Sequence, residues 1–457
     1  MKEKDKFILD IKRLGINGEG IGFYNHMATF VENAIPGEGH NVEVVSVKDK
    51  MAFVKSLEIK TPSKHRVVPT CPYYEACGGC NVSHISYDKM LEFKRESVIE
   101  AITRYTKLNP RSFEIRNTIP SPNPFGYRNR SQLAVLKGNE MYSVGMLKEK
   151  SNSLVPIETC LVQKPLLNEL NQVILKEAKD LGISVYMPKF GRGVLRYLLI
   201  RVNEANEALV CFACAEKNNK LRDLAKKIMA HPNVVGVYET FISNKKDNTF
   251  FGEELNLLEG KSYIIESLGK IQYKIYPNTF FQLNTLQAKN MFDIVLKACK
   301  LSRKERVLDA YCGVGAIGLY LAGMAKEVIG IEYNKDAVIA ARENAELNKI
   351  TNAKFFQGDA AMLLPTFLEK QETFDVIVVD PPRTGLGEAF IKTILEVGIK
   401  RIVYVSCNPA TLAKDLDKLS TKYQINSITP LDMFPQTALV ESVVQMTHIE
   451  SDPTNIK

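Results

Sequence analysis

Three stretches of this 457-residue chain pair reactive side chains with a backbone able to aim them. Asp309-Ala-Tyr-Cys-Gly-Val-Gly-Ala-Ile-Gly318 leaves an apolar strand-like run and enters a helical one. Its glycines match G-x-G-x-x-G, and Glu332 ends the next apolar run, nineteen residues after Gly313. Glycines let the backbone turn tightly beside a ligand, and a carboxylate at that second position can accept hydrogen bonds from ribose hydroxyls. A dinucleotide and S-adenosylmethionine both suit such a loop. The later strand ends help to choose, because open α/β sheets bind ligands at the carboxyl ends of their strands. Asp380-Pro-Pro-Arg383 follows the fourth such run and Ser406-Cys-Asn-Pro409 the fifth. Hydride transfer has no need of a cysteine there, whereas a base-methylating enzyme could place a nucleophile at that point. Methyl transfer is favoured.

Carbon 5 of uracil is a poor nucleophile. A thiolate that adds to carbon 6 makes carbon 5 enolate-like and able to attack a methyl group on sulfur. A base must then remove the carbon 5 proton so that the cysteine can leave. This chemistry requires a low-pKa cysteine and a separately placed carboxylate. Cys407 stands before Asn408-Pro409 and a candidate helix over Thr411 to Leu419, where backbone donors and the helix dipole favour a thiolate. The ordinary alternative for one cysteine at a strand end is a structural, buried thiol.

A second cysteine group is Cys71-Pro-Tyr-Tyr-Glu-Ala-Cys77-Gly-Gly-Cys80. Three thiols on one glycine-containing loop suggest a metal, and the spacing leaves zinc and an iron–sulfur cluster both open. Cys211 and Cys214 sit three apart on a strand, so they face opposite sides and should not share a metal. Cys299 falls on an apolar helix face, and Cys312 in the glycine loop.

These residues need elements to hold them. Residues 1–60 read as five short strands broken by glycine turns: Phe7–Ile11, the Gly15–Gly22 turn region, Met27–Val31, 41–47 and 51–59. That pattern suits a small OB-type barrel. Thr61-Pro-Ser-Lys64 reads as a linker. Residues 61–285 are mixed α and β, with a proline-rich loop at Pro120–Pro124 and a basic Arg128-Asn-Arg130 beyond it. From 286 to 457 apolar strands alternate with helices, which predicts a parallel, doubly wound, Rossmann-like sheet covered on both faces. A helix with Met291, Phe292, Val295, Leu296 and Cys299 on one face introduces it. Ordinary globular composition, 45% hydrophobic and 25% charged, excludes fibrous and disordered classes, and the net charge of +8 is compatible with nucleic acid without requiring it. No apolar run approaches the roughly 18 residues of a membrane span. The charged start, Met1-Lys-Glu-Lys-Asp-Lys6, does not read as a signal peptide. A cytoplasmic, monomeric protein is expected.

Four ordered motifs carry a more specific likeness: Ser406-Cys-Asn-Pro-Ala-Thr-Leu-Ala-Lys-Asp415, Asp380-Pro-Pro-Arg-Thr-Gly385, Phe280-Phe-Gln-Leu-Asn284 and Met433-Phe-Pro-Gln-Thr437. With them the chain resembles the RNA uridine-5-methyltransferase family, notably its bacterial 23S rRNA members, and residues 1–60 are similar to a TRAM domain. The resemblance implies Cys407 as nucleophile and Glu441 as the base that takes the carbon 5 proton. It implies Gln282, Tyr311, Glu332 and Asp380 as S-adenosylmethionine contacts, and Phe280 or Phe281 beside a flipped uridine. It also implies a 4Fe–4S cluster on Cys71, Cys77, Cys80 and the distant Cys160. The chain departs from the family where a histidine often stands two residues before the glutamate; here it is Leu439. Open alternatives are the same chemistry on tRNA and a non-catalytic RNA-binding protein on the same scaffold. An amino-methylating enzyme is disfavoured by Arg383 after Asp-Pro-Pro, where an aromatic usually stacks on the base.

Overall fold

The computed structural model describes residues 1–148, 151, 153–243 and 249–451, and the chain forms two compact units. One combines Met1–Ser121 with Pro381–Lys457; the other is the intervening Pro122–Asp380. No helix among the described residues is long and apolar enough to cross a membrane.

The first unit opens with β1 (Lys6–Leu14), β2 (Gly20–Tyr24), β3 (Met27–Val31), β4 (Gly39–Lys48) and β5 (Met51–Thr61). They close into the expected five-stranded barrel, in the order β1-β2-β3-β5-β4. Alternate residues Leu9 and Ile11, and Val42 and Val44, point inward and pack with Val31 and Val54. The anticipated Gly15–Gly22 turn is shorter, because β2 begins at Gly20.

Thr61–Lys64 is anchored to the barrel instead of linking freely. Ser63 N–H donates to Glu38 Oε1 at 3.0 Å. Glu38, 1% exposed, also accepts from Ile35 N–H at 2.9 Å and from Arg66 Nε at 2.7 Å, with His40 Nε2 at 3.0 Å. Burial alone would raise its carboxyl pKa, but Arg66, His40 and the two amides outweigh burial and hold it well below the usual range. Glu38→Gln is expected to cost about 2 kcal/mol in denaturant titration, less than a fully buried pair because Arg66 is partly exposed. The depressed folded pKa makes this stabilisation complete above the unfolded value of 4.5 and progressively lost as pH falls below it. The stability of the variant should therefore depend less on pH in that acid range.

Helix α1 (Tyr87–Tyr105) follows, burying Met90, Phe93, Val98, Ala101 and Ile102 along one stripe. Lys94 lies in the same buried stripe. A short β6 (Glu114–Ile115) ends this part.

The second unit contains β7 (Arg130–Lys137), β8 (Tyr142–Leu147), β9 (Leu154–Ile157), α2 (Pro165–Asp180), β10 (Leu195–Val202), β11 (Ala208–Cys214), α3 (Lys220–Met229), β12 (Val234–Phe241) and β13 (Leu255–Gly260). Its strands form one sheet in the order β13-β12-β11-β10-β7-β8-β9. Every residue of the central β11 is buried, so Cys211 and Cys214 are core thiols whose pKa burial drives upward. The hairpin β14 (Ile264–Leu268) and β15 (Ile271–Ile275) precedes α4 (Thr285–Cys299). That helix buries Met291, Phe292, Val295 and Cys299, as its periodicity predicts, whereas Leu296 is only half-buried.

Alternation then takes over: β16 (Arg306–Ala310), α5 (Ala316–Ala322), β17 (Glu327–Glu332), α6 (Lys335–Leu347), β18 (Ala353–Gln357), α7 (Ala360–Glu369) and β19 (Val376–Val379). The strands pair in parallel, in the order β18-β17-β16-β19. Helix α7 contains Pro365, and Asp359 caps its start by accepting from Ala361 N–H.

The remainder of the first unit is α8 (Glu388–Val397), β20 (Arg401–Ser406), α9 (Pro409–Leu419), β21 (Tyr423–Leu431) and β22 (Glu441–His448). Here β22 pairs antiparallel with both β20 and β21, and β6 lies parallel to β21. The expected all-parallel sheet therefore holds for β16–β19 and fails for β22. A parallel partner needs a crossover of about a dozen residues or more, and only residues 432–440 separate β21 from β22.

Candidate functional site

In the first unit the site is built on the end of β20. Its ladder with β22 closes on the pair Ser406–Ser442, so Cys407 directly follows one residue of that pair and Glu441 directly precedes the other. Glu441 pairs with Leu431 of β21. The thiol is half-buried and the carboxylate residue is buried, Glu441 being 4% exposed. Local bonds fix the cysteine turn. Asn408 N–H donates to Ser406 Oγ at 3.2 Å, and the Asn408 side chain caps α9 by accepting from Ala410 N–H at 3.1 Å. Asn408 Nδ2 and Thr411 Oγ1 both donate to Arg383 O at 3.1 Å, which pins the segment after Pro382 beside the cysteine. That segment turns at Gly385, where φ is +85° and an added Cβ would lie 2.6 Å from Asp415 Oδ2.

Cys407 opens on a cavity of about 300 Å³ whose wall includes Arg13, Phe93, Arg383, Asn408 and Leu439. Leu439 gives an apolar wall where a histidine relay would otherwise stand. A planar base fits such a volume, with a thiol at one side and basic groups nearby.

In the second unit Tyr311, Glu332 and Asp380 stand at the carboxyl ends of three adjacent parallel strands, each one residue beyond the paired Ala310, Ile331 and Val379. Glu332 accepts from Gly313 N–H at 3.1 Å and Asn334 N–H at 2.8 Å, which orients its carboxylate at the loop. Gly313 and Gly315 both have positive φ, and the space above Gly313 is open. An added Cβ at Gly315 would meet Phe355 Cζ at 2.9 Å. Gly315→Ala is expected to lower stability by about 1–2 kcal/mol, measured by denaturant titration, because it combines a left-handed backbone with that contact. The loop, its open face and the ribose-competent carboxylate fit S-adenosylmethionine.

Gln282 is half-buried after β15, and its carbonyl accepts from Asn129 Nδ2 at 2.9 Å. Asn129 is itself buried, so Arg128-Asn-Arg130 serves partly as a brace under this motif. The two phenylalanines separate cleanly. Phe281 is buried against Tyr273, whereas Phe280 is 64% exposed and has a face available for stacking.

Sequence reasoning passed over Asp309. Its Oδ2 accepts from Gly318 N–H at 2.8 Å, tying the strand to the start of α5. Burial, opposed by that amide and reinforced by Asp380 and Glu332, lifts its pKa to about 8. Burial likewise raises Asp380. The signal was present, since Asp309 opens the glycine motif, but burial of a carboxylate has no local signature.

Cys71, Cys77 and Cys80 lie half-buried on one loop of the first unit. Burial raises the Cys77 thiol, an effect opposed by Gly79 N–H at 3.4 Å and reinforced by nearby Cys71. Cys160 belongs to the second unit, where its amide donates to Asn168 Oδ1 at 2.9 Å. The thiols are suitable donors, yet among the described residues no three His, Cys, Asp or Glu side chains gather as a metal ion requires.

Comparison with known proteins agrees with this geometry. The family model described as tRNA (Uracil-5-)-methyltransferase matches residues 86–449. An uncharacterized RNA methyltransferase of Listeria innocua is 40% identical over 447 residues, 97% of this chain and 98% of that protein. A Halalkalibacterium halodurans relative of the same description is 40% identical over 451 residues, covering 98% and 97%. Among solved structures, the Pyrococcus abyssi tRNA (uracil-54, C5)-methyltransferase, in complex with S-adenosyl-L-homocysteine, superposes with a TM-score of 0.77. It is 31% identical, with 96% of this chain and 99% of that one covered. A barrel, a strand-end glycine loop and a strand-end cysteine are thus joined to a match over most of the sequence, and the chain belongs to the RNA uracil-5-methyltransferase family.

Proposed function

We propose that this protein methylates carbon 5 of a uridine in 23S rRNA with S-adenosylmethionine as donor, through a covalent bond between Cys407 and carbon 6. The observation that carries the reading is the half-buried Cys407 at the end of β20, opening on a base-sized cavity. The Cys407 thiolate adds to carbon 6, and the electron pair moves toward the carbon 4 carbonyl. Carbon 5 then takes the methyl group from the sulfonium, leaving S-adenosylhomocysteine. Glu441 removes the carbon 5 proton; the electrons of that bond restore the carbon 5–carbon 6 double bond and expel the thiolate. Gln282, Tyr311, Glu332 and Asp380 hold the donor, and exposed Phe280 offers a stacking face for the flipped base.

The barrel, residues 1–60, serves RNA docking; residues 61–285 and 286–457 supply the cysteine-bearing middle part and the catalytic part. The family resemblance implies a structural 4Fe–4S cluster on Cys71, Cys77, Cys80 and Cys160, but among the described residues the side chains are not gathered to hold a metal, and no catalytic step runs through it. Iron and sulfide content of anaerobically purified protein tests that assignment.

A second reading, the same reaction on tRNA, is favoured by the likeness to the tRNA (uracil-54, C5) enzyme. One experiment separates the two. Protein is incubated with methyl-tritiated S-adenosylmethionine and total RNA from a strain lacking the gene, and 23S rRNA and tRNA are then resolved and digested. Label in 5-methyluridine of 23S rRNA supports the first reading, and label in tRNA the second. Label in neither, with donor bound, removes both.

A further inference from the structure

The segment between β21 and β22, residues 432–440, delivers Glu441 to its place, and the bonds that shape it come from distant parts of the first unit. At its start, fully buried Lys94 of α1 pairs with buried Asp432 and donates to Phe434 O at 3.1 Å. Nearer Glu441, Gln436 adopts a left-handed backbone with φ of 68°, although it is neither glycine nor exposed. A non-glycine residue holds that conformation only where its surroundings impose it. The Gln436 carbonyl accepts from both Asn81 N–H at 3.1 Å and Val82 N–H at 3.3 Å. Two residues on, Ala438 N–H donates to Asn81 Oδ1 at 2.9 Å. The remaining polar group of that side chain, Nδ2, donates to Asn17 O in the β1–β2 turn.

We infer that Asn81 is a positioning residue for Glu441. It sets the Gln436–Ala438 turn from which the base emerges, and it anchors that turn to the barrel. Asn81 directly follows Cys80, so the placement of the base also depends on the conformation of the cysteine loop. Cys407 is held by a separate set of bonds, those of Asn408 and Thr411 to Arg383 O. Disturbing Asn81 therefore acts on the step that needs Glu441 and spares those that need only Cys407 and the donor. This inference rests on the proposed covalent reaction.

The test compares wild type, Glu441→Gln, Asn81→Ala and Asn81→Asp, using methyl-tritiated S-adenosylmethionine and total RNA from a strain lacking the gene. Label that stays on protein after denaturation measures methylated adduct; label in released 5-methyluridine measures completed turnover. Asn81→Ala loses both side-chain bonds. It is expected to raise the adduct-to-product ratio about tenfold, the effect of removing one or two positioning hydrogen bonds. Asn81→Asp keeps the acceptor for Ala438 N–H but loses the donor to Asn17 O, so its ratio should fall between wild type and the alanine variant. If Asn81→Ala melts below the assay temperature, Asn81→Ser replaces it. An unchanged ratio in the alanine variant, an equal fall of adduct and product, or an aspartate variant with a higher ratio than alanine overturns the inference. If wild type yields no 5-methyluridine and Glu441→Gln no adduct, the covalent reading fails instead.

Discussion

Replacing Cys407 with alanine is expected to abolish formation of 5-methyluridine while leaving S-adenosylmethionine binding close to that of the wild type. The loss should be on the order of 10⁴-fold or more, the scale seen when a covalent nucleophile is removed from a site that otherwise stays intact. The physical reason lies in the substrate. Without addition at carbon 6, carbon 5 has too little electron density to attack a methyl group, and no other side chain in the cavity wall supplies a thiolate. Binding is spared because the proposed donor contacts lie at the ends of β16, β17 and β19 and on the loop after β15, away from the cysteine turn in sequence. The fold is spared because Cys407 is only half-buried, and the turn is held by Asn408 and Thr411. Single-turnover assays with labelled donor, beside calorimetric binding, check both halves. Methylation by Cys407→Ala at more than a small fraction of the wild-type rate would remove it as nucleophile.

Glu441→Gln should fail at a later step and leave a visible product. The amide retains the size and much of the hydrogen bonding of the carboxylate but cannot accept the carbon 5 proton. Addition and methyl transfer proceed, and carbon 5 then carries both the new methyl group and its original hydrogen. With no base to remove that hydrogen, the thiolate cannot leave, and RNA stays bound to protein through a denaturing gel. Turnover should fall by about 10²- to 10⁴-fold, the usual contribution of a positioned base. Glu441 is the proposed base; it is buried at the first position of β22, next to the Ser442 that ends the ladder with β20. Glu19, Glu96 and Glu100 line the cavity that Cys407 opens on, so the trapped adduct is what singles out Glu441. Normal turnover by Glu441→Gln assigns the base elsewhere, and loss of turnover without trapped RNA assigns Glu441 to an earlier step.

These outcomes also bear on how much of the site was legible in the chain itself. The glycine loop, Glu332 at the end of β17 and the cysteine at the end of β20 were all readable, because each depends on a local pattern: an apolar run, a turn-permitting residue, a helix start. The barrel was readable for the same reason, with strands of period two separated by glycine. The antiparallel end of the sheet was hidden because strand direction is set by how a short connection closes, and apolar alternation looks alike either way.

What the sequence determined by itself was therefore the chemistry on offer: a thiol, a carboxylate, a donor-binding loop and a group of cysteines, each on a recognisable element. Only the tertiary structure decided which of these meet. It paired Ser406, before Cys407, with Ser442, after Glu441, separated buried Phe281 from exposed Phe280, and turned Thr61–Lys64 from a linker into an anchor on Glu38. It also placed the unremarked Asn81 and Lys94 against the segment that carries the base. The physical reason is common to all four. Register, burial and hydrogen bonds between residues far apart in the chain are decided by packing against neighbours, and a local pattern of residues holds no information about which neighbours those will be.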